Sequence, residues 1–159
     1  PGDAFFLPAG RVHTIGAGNL LVEFQQTSDI TYRLYDYNRL DANGNARRLH
    51  VDLALDAVDY RVAADYRLAV PPAVAGCQRL LSCPHFEVSR VVVEGDLTVD
   101  MSADHSFVVV VCIAGRVSLG LDTDRPSVPL AQGHTLLLPA TARACRLEGH
   151  ATLLTAQLP

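Results

Sequence analysis

The side chains best equipped for chemistry lie near the start of the chain: His13, three residues past the Pro8-Ala9-Gly10 corner, then Glu23, Asp29, Arg33 and Arg39. A neutral imidazole is a ligand for Zn, Fe or Mn, and its plainer alternative is a hydrogen-bonded structural residue. Arginine charge does not titrate, so Arg33 and Arg39 can hold phosphate or a developing oxyanion; the alternatives are a cross-strand ion pair and a solvated surface charge. Asp29 and Glu23 are each able to orient an arginine, or to carry a proton if burial raises the carboxyl pKa. A turn cap at Asp29 and an exposed strand position at Glu23 stand against those roles. His85 and Glu87 alternate on one run but lack a third ligand, and His50, His105, His134 and His150 sit at a helix start or beside turns.

These residues need strands to position them. Alternation puts Asp29, Thr31, Arg33 and Tyr35 on one face, opposite Ile30, Tyr32 and Leu34, and sets Glu23 and Gln25 against Val22 and Phe24. On a straight strand Asp29 and Arg33 are roughly 13 Å apart at Cα, so a direct pair requires a bend near Asp29. Strand signals recur along the chain, at 4–7, 20–25, 30–37, 86–93, 97–101, 107–113, 116–121, 135–138, 144–147 and 152–157. Turn formers punctuate them at Gly16-Ala17-Gly18, Asn43-Gly44, Glu94-Gly95-Asp96, Ala114-Gly115 and Glu148-Gly149. The pattern predicts an antiparallel sandwich or barrel with a short helix over His50 to Tyr60. The paired prolines Pro71-Pro72 mark a linker, because proline cannot join a sheet interior.

Composition narrows the classes further. The chain has 159 residues and a net charge of −4, and every basic residue is arginine. That balance excludes an electrostatic nucleic-acid footprint, and any anion site must use arginine or backbone amides. No apolar run approaches the ~20 residues of a membrane-spanning helix. Cys77, Cys83, Cys112 and Cys145 match no zinc spacing and read as reduced core thiols.

The run Gly2-Asp-Ala-Phe-Phe-Leu7-Pro8-Ala9 is echoed at a constant offset by Gly133-His-Thr-Leu-Leu-Leu138-Pro139-Ala140, which implies two β-units of one type. The first copy, Gly2-x5-Pro8-x-Gly10-x2-His13, resembles the second motif of the cupins, in which the histidine is a metal ligand. Where that motif continues to Asn, this chain has Ala17, and the second copy has Ala144 at the ligand position. The stretch Glu23-Phe-Gln-Gln-Thr-Ser-Asp29-Ile-Thr-Tyr-Arg33-Leu-Tyr-Asp-Tyr-Asn-Arg39-Leu-Asp-Ala-Asn-Gly44, following Pro8 to Gly18, is similar to the bacterial type I mannose-6-phosphate isomerases. The similarity is strong to about residue 60 and weaker beyond.

The resemblance implies mainly β cupin-like antiparallel barrel or jelly-roll units with one or two short helices. Residues 1–70 would be the C-terminal part of a catalytic cupin domain, 71–77 a linker and 78–159 a second, metal-free cupin-like domain. It implies a cytoplasmic, zinc-dependent aldose-ketose isomerase with one zinc ion per complete site and a hexose 6-phosphate substrate. His13 would be a zinc ligand, Arg33, Asp29 and Glu23 catalytic, and Arg39 near the substrate phosphate. The remaining ligands, a Gln-x-His pair and a Glu, are expected upstream of Pro1. On that reading the chain is a fragment that holds zinc weakly or not at all, is inactive alone and self-associates through its truncated edge. The reading from another class is a non-catalytic cupin module that binds a sugar or a partner.

Overall fold

The structure, a computed structural model, describes residues 1–28, 30–101, 105–121 and 126–159. The chain divides into two units, one of Leu68–Pro159 with Pro1–Asp3, the other of Ala4–Arg67.

The larger unit is one antiparallel sheet of six strands: β1 (Gly76–Ser82), β2 (Glu87–Asp100), β3 (Val108–Gly120), β4 (Val128–Ala131), β5 (Thr135–Leu138) and β6 (Ala144–Gln157). The order is β1-β2-β6-β3-β4, and β5 pairs with the first half of β3 while β4 pairs with its second half. A straight 14-residue strand is about 45 Å long. Yet Cys145 and Leu147 at one end of β6 share a core with Ala151 and Leu153 beyond Gly149, and Val108 and Val110 share it with Val117 and Leu119. The sheet must therefore fold over on itself at mid-strand. Gly95 pairs with Gly149 and Gly115 with Ala151 along that fold, and a bulge between Cys112 and Ala114 shifts the inward phase of β3 from even to odd positions. The backbones nearly touch there: a Cβ on Gly115 would lie 2.2 Å from the His150 carbonyl oxygen, and one on Gly149 would lie 2.6 Å from that of Arg116. Valine and leucine fill the interior, with Cys112 and Cys145 among them.

Three expected turns are thus corrected. Glu94-Gly95-Asp96, Ala114-Gly115 and Glu148-Gly149 lie inside continuous strands, because their glycines admit close backbone approach at a bend rather than reversing the chain. Strands β1 and β4 were not anticipated. Cys77 is exposed and Cys83 half-buried, so only two of the four thiols belong to the core.

The smaller unit departs most from expectation. The runs 4–7, 20–25 and 30–37 form no strands among the described residues; a run with strand pattern becomes a strand only when a partner satisfies its ladder, and here only isolated bridges form, Phe5 with Arg67 and Leu40 with Ala46. Their apolar side chains stay open, Leu20 and Ile30 among them. Helix α1 is Val51–Ala57, shorter than the expected His50 to Tyr60, because Val58 is already extended. Only Ala54 on it is buried.

Candidate active site

Helix α1 carries an anchor at each end. At its C-terminal end the Pro8-Ala9-Gly10 corner docks on the backbone: the Asp59 amide donates to the Gly10 carbonyl oxygen at 2.9 Å, and the Arg11 amide closes the turn on Pro8 at 3.1 Å. Gly10 has φ of +86°, and a Cβ there would lie 2.6 Å from the Ala57 carbonyl oxygen, so only glycine fits the corner. Arg11 follows, its guanidinium 3.8 Å from Asp59 and 4.3 Å from the Tyr66 ring centroid. At the helix start the His50 amide donates to the Arg33 carbonyl oxygen at 2.8 Å, and the Arg33 amide donates to His50 Nδ1 at 3.2 Å. The two anchors are about 10 Å apart along a seven-residue helix.

His13 is exposed, with Nδ1 donating to the Arg11 carbonyl oxygen at 2.9 Å. That bond leaves the Nε2 lone pair free, the arrangement in which a histidine binds a metal. Among the described residues no group of three His, Cys, Asp or Glu is disposed to hold a metal ion. His13 therefore fits a metal as a single ligand, without a complete set beside it.

The densest electrostatic feature is a cluster around Asp36, which is 6% exposed. Arg47 grips the carboxylate with both edges of its fork, Nε on Oδ2 at 2.7 Å and Nη2 on Oδ1. Arg39 Nη2 donates to Oδ1 at 2.5 Å, and Arg33 Nε lies 3.8 Å from the same oxygen. The Arg47 hydrogen bonds, opposed by burial and reinforced by Arg39, hold the Asp36 carboxyl far below the ordinary carboxylate range. The same bonds raise the Arg47 pKa. Arg33 Nη1 also donates to the Arg48 carbonyl oxygen at 3.3 Å.

Two local turns build the cluster. Tyr37 and Asn38 both have positive φ, 52° and 54°, and the Arg39 amide closes their turn on the Asp36 carbonyl oxygen at 3.0 Å. A non-glycine residue in this region costs about 1–2 kcal/mol, so its neighbours must hold it. The Tyr37 hydroxyl does so: it lies 2.6 Å from Thr14 Oγ1 and donates to the Ile15 carbonyl oxygen at 3.2 Å. The Asn43-Gly44 turn then reverses the chain, with Asp41 Oδ1 accepting from the Asn43 and Asn45 amides, and returns Arg47 to Asp36.

Of the expected site residues, Arg33 and Arg39 meet on one carboxylate, and Tyr37 ties their turn to the two residues after His13. Glu23 is exposed and joins neither. Asp29 lies outside the described residues. Asp36, Tyr37 and Arg47 were missed. The available signal was the Asn43-Gly44 turn, which folds residues 45–48 back toward 36–40.

Residues 77–158 match the family model described as mannose-6-phosphate isomerase, cupin domain. The chain belongs to the mannose-6-phosphate isomerase family. The mannose-6-phosphate isomerase of Streptococcus mutans is 33% identical over 153 residues, covering 93% of this chain and 46% of that protein. The mannose-6-phosphate isomerase ManA of Bacillus subtilis is 31% identical over 160 residues, covering 99% of this chain and 50% of its own. The chain spans about half the length of these curated relatives. A crystal structure of the B. subtilis mannose 6-phosphate isomerase superposes with a TM-score of 0.68 at 29% identity, over 81% of this chain and 40% of that one. A phosphomannose isomerase of Salmonella typhimurium shares the fold, with a TM-score of 0.58 at 14% identity.

Proposed function

We propose that this chain is part of a zinc-dependent mannose-6-phosphate isomerase that interconverts mannose 6-phosphate and fructose 6-phosphate, and that it lacks the other metal ligands of the site. The observation that supports this most is that relatives named for that activity match nearly the whole chain while the chain matches half of them. Residues 1–70 belong to the catalytic cupin domain, 71–77 link, their last two residues already starting β1, and 78–159 form a second, metal-free cupin domain whose core is lined with aliphatic side chains. Among the described residues that core is apolar and offers no polar side chain to a sugar's hydroxyls, which weighs against a sugar-binding module in the larger unit. The enzyme works in the cytoplasm on its phosphorylated substrate.

The reaction moves a proton between C1 and C2 of the open sugar through an enediol, so it needs a base, positive charge at the oxygens and a hold on the phosphate. His13 Nε2 is one zinc ligand, and the bound ion supplies Lewis acidity to the sugar oxygens. Arg33 places permanent positive charge at the enediolate or phosphate oxygens, and Arg39, the more exposed guanidinium, meets the phosphate. Asp29 or Glu23 carries the proton. The test is to combine the chain with the half of the B. subtilis isomerase that it does not match and to measure bound zinc. We expect about one zinc per pair, lost with His13→Ala, and isomerisation that falls at least a hundredfold with Asp29→Asn or with Glu23→Gln. Full zinc with His13→Ala removes His13 from the metal site, and full activity of both acid variants removes the two acids from the mechanism.

A further inference from the structure

Arg33, Arg39 and Arg47 converge on a single carboxylate, whereas exposed pairs such as Arg67–Asp65 and Arg146–Glu148 each match one cation with one acid. Three guanidinium charges against one carboxylate leave two positive charges unneutralised. The three arginines are not equivalent. Arg47 spends its Nε edge on both oxygens of Asp36, as a fork holding a carboxylate. Arg39 uses one Nη2 hydrogen on Oδ1 and its Nε on the Asp36 carbonyl oxygen at 3.3 Å, and Arg33 faces Oδ1 with Nε and Arg48 with Nη1. Each of these two has three further N–H donors that the Asp36 carboxylate and the neighbouring carbonyls do not take up. Arg39 and Arg47, with Leu40 and Asp41, line a hollow of about 200 Å³. The Asp41 carboxylate at its edge is turned to the backbone of its own turn.

We propose that Asp36 is a positioning residue and Arg47 its lock: together they fix Arg33 and Arg39 so that their free donors present two positive charges to a phosphate monoester dianion. The substrate class rests on the isomerase reading, while the pre-ordered dianion site rests on the geometry. Long arginine side chains otherwise lose rotamer entropy on binding, and a buried carboxylate that orders them beforehand removes that cost from the binding step.

Charge and position make opposite predictions. Asp36→Asn keeps the shape, raises the net positive charge and would tighten phosphate binding if only charge mattered. If positioning matters, it weakens binding. Titration of the chain with inorganic phosphate, mannose 6-phosphate and mannose, read by calorimetry and by the summed tyrosine emission, to which Tyr37 contributes from 5.9 Å off the Arg39 guanidinium, should show binding of the two phosphates and none of mannose. Asp36→Asn should weaken mannose 6-phosphate about 10- to 100-fold, the worth of one or two charge-assisted hydrogen bonds, and Asp36→Glu should recover part of the loss. Arg47→Lys, which keeps the charge and loses the fork, should weaken it about tenfold. It covers the case in which Asp36→Asn does not fold. Tighter binding by Asp36→Asn, unchanged binding by Arg47→Lys, equal binding of mannose, or no binding of phosphate would each overturn the proposal. Phosphate binding that follows this order in a chain whose recombined form does not isomerise would overturn the isomerase reading and leave the clamp standing.

Discussion

Alanine at position 115 would place a methyl group 2.2 Å from the His150 carbonyl oxygen and 2.9 Å from the Ala151 Cα, at φ of +77°. Gly133 has nearly the same backbone, φ of +84°, with nothing within 4 Å of the added carbon. The conformational cost is therefore shared, about 1 kcal/mol once the lower unfolded-state entropy of alanine is counted. At Gly115 the methyl must also move more than an ångström to reach an ordinary contact of roughly 3.5 Å. Either β3 and β6 part, losing at least one ladder hydrogen bond of about 1 kcal/mol, or the overpacked fold strains by about 1–3 kcal/mol. Gly115→Ala should thus cost about 1–3 kcal/mol more than Gly133→Ala. For a unit of this size that is a melting difference of roughly 5–25 °C. The chain supplies its own control, since it has no tryptophan and all five tyrosines lie between residues 32 and 66. Far-ultraviolet dichroism near 218 nm follows the sheet, and tyrosine emission follows the smaller unit. If the two variants melt within 2 °C of each other by dichroism, the close approach of β3 and β6 at the fold line is wrong.

Thiol chemistry should separate the four cysteines. Burial pushes the Cys145 pKa up to about 11 and raises that of Cys112, so neither ionises near pH 8. Exposed Cys77 should react with a disulfide reagent first, half-buried Cys83 after it, and Cys112 and Cys145 only on unfolding; four equal rates would refute the packing. Because the folded thiol pKa lies above the unfolded one, this contribution to stability is complete below the ordinary thiol range and is lost as pH rises toward 11. A denaturant midpoint that does not fall between pH 8 and 11 would contradict the shift. The unpaired apolar runs of the smaller unit, with Leu20 at 94% exposure and Val62 at 90%, should make the chain associate with itself when alone. A monomeric mass by light scattering at high concentration would count against that.

Strand periodicity was legible in the long central strands β2, β3 and β6, where a half-buried ladder imposes alternation on the sequence, and not in the shorter β1 and β4, each paired along one edge only. It misled in the first forty residues for the same reason: the pattern of 20–25 and 30–37 records a burial that these residues do not obtain here. Glycine was ambiguous. Gly10 was placed at a corner and forms one, whereas Gly95, Gly115 and Gly149 share its positive φ but sit mid-strand, and sequence alone does not distinguish reversal from close approach. At the site, Arg33 and Arg39 were picked out by type and by resemblance. Asp36 was hidden because alternation assigned it to the face opposite Arg33, whereas residues 30–37 form no strand and Asp36 comes within 3.8 Å of Arg33, and the left-handed pair Tyr37-Asn38 then returns Arg39 to it.

The measurement that bears most directly on the account is turnover of mannose 6-phosphate by the chain combined with the unmatched half of the B. subtilis isomerase, with and without Arg33→Ala. We expect fructose 6-phosphate from the pair, none from the chain by itself, and a loss of at least a hundredfold in the variant pair, as when a charge stabilising the transition state is removed. Turnover by the chain alone, or full activity with Arg33→Ala, would contradict it.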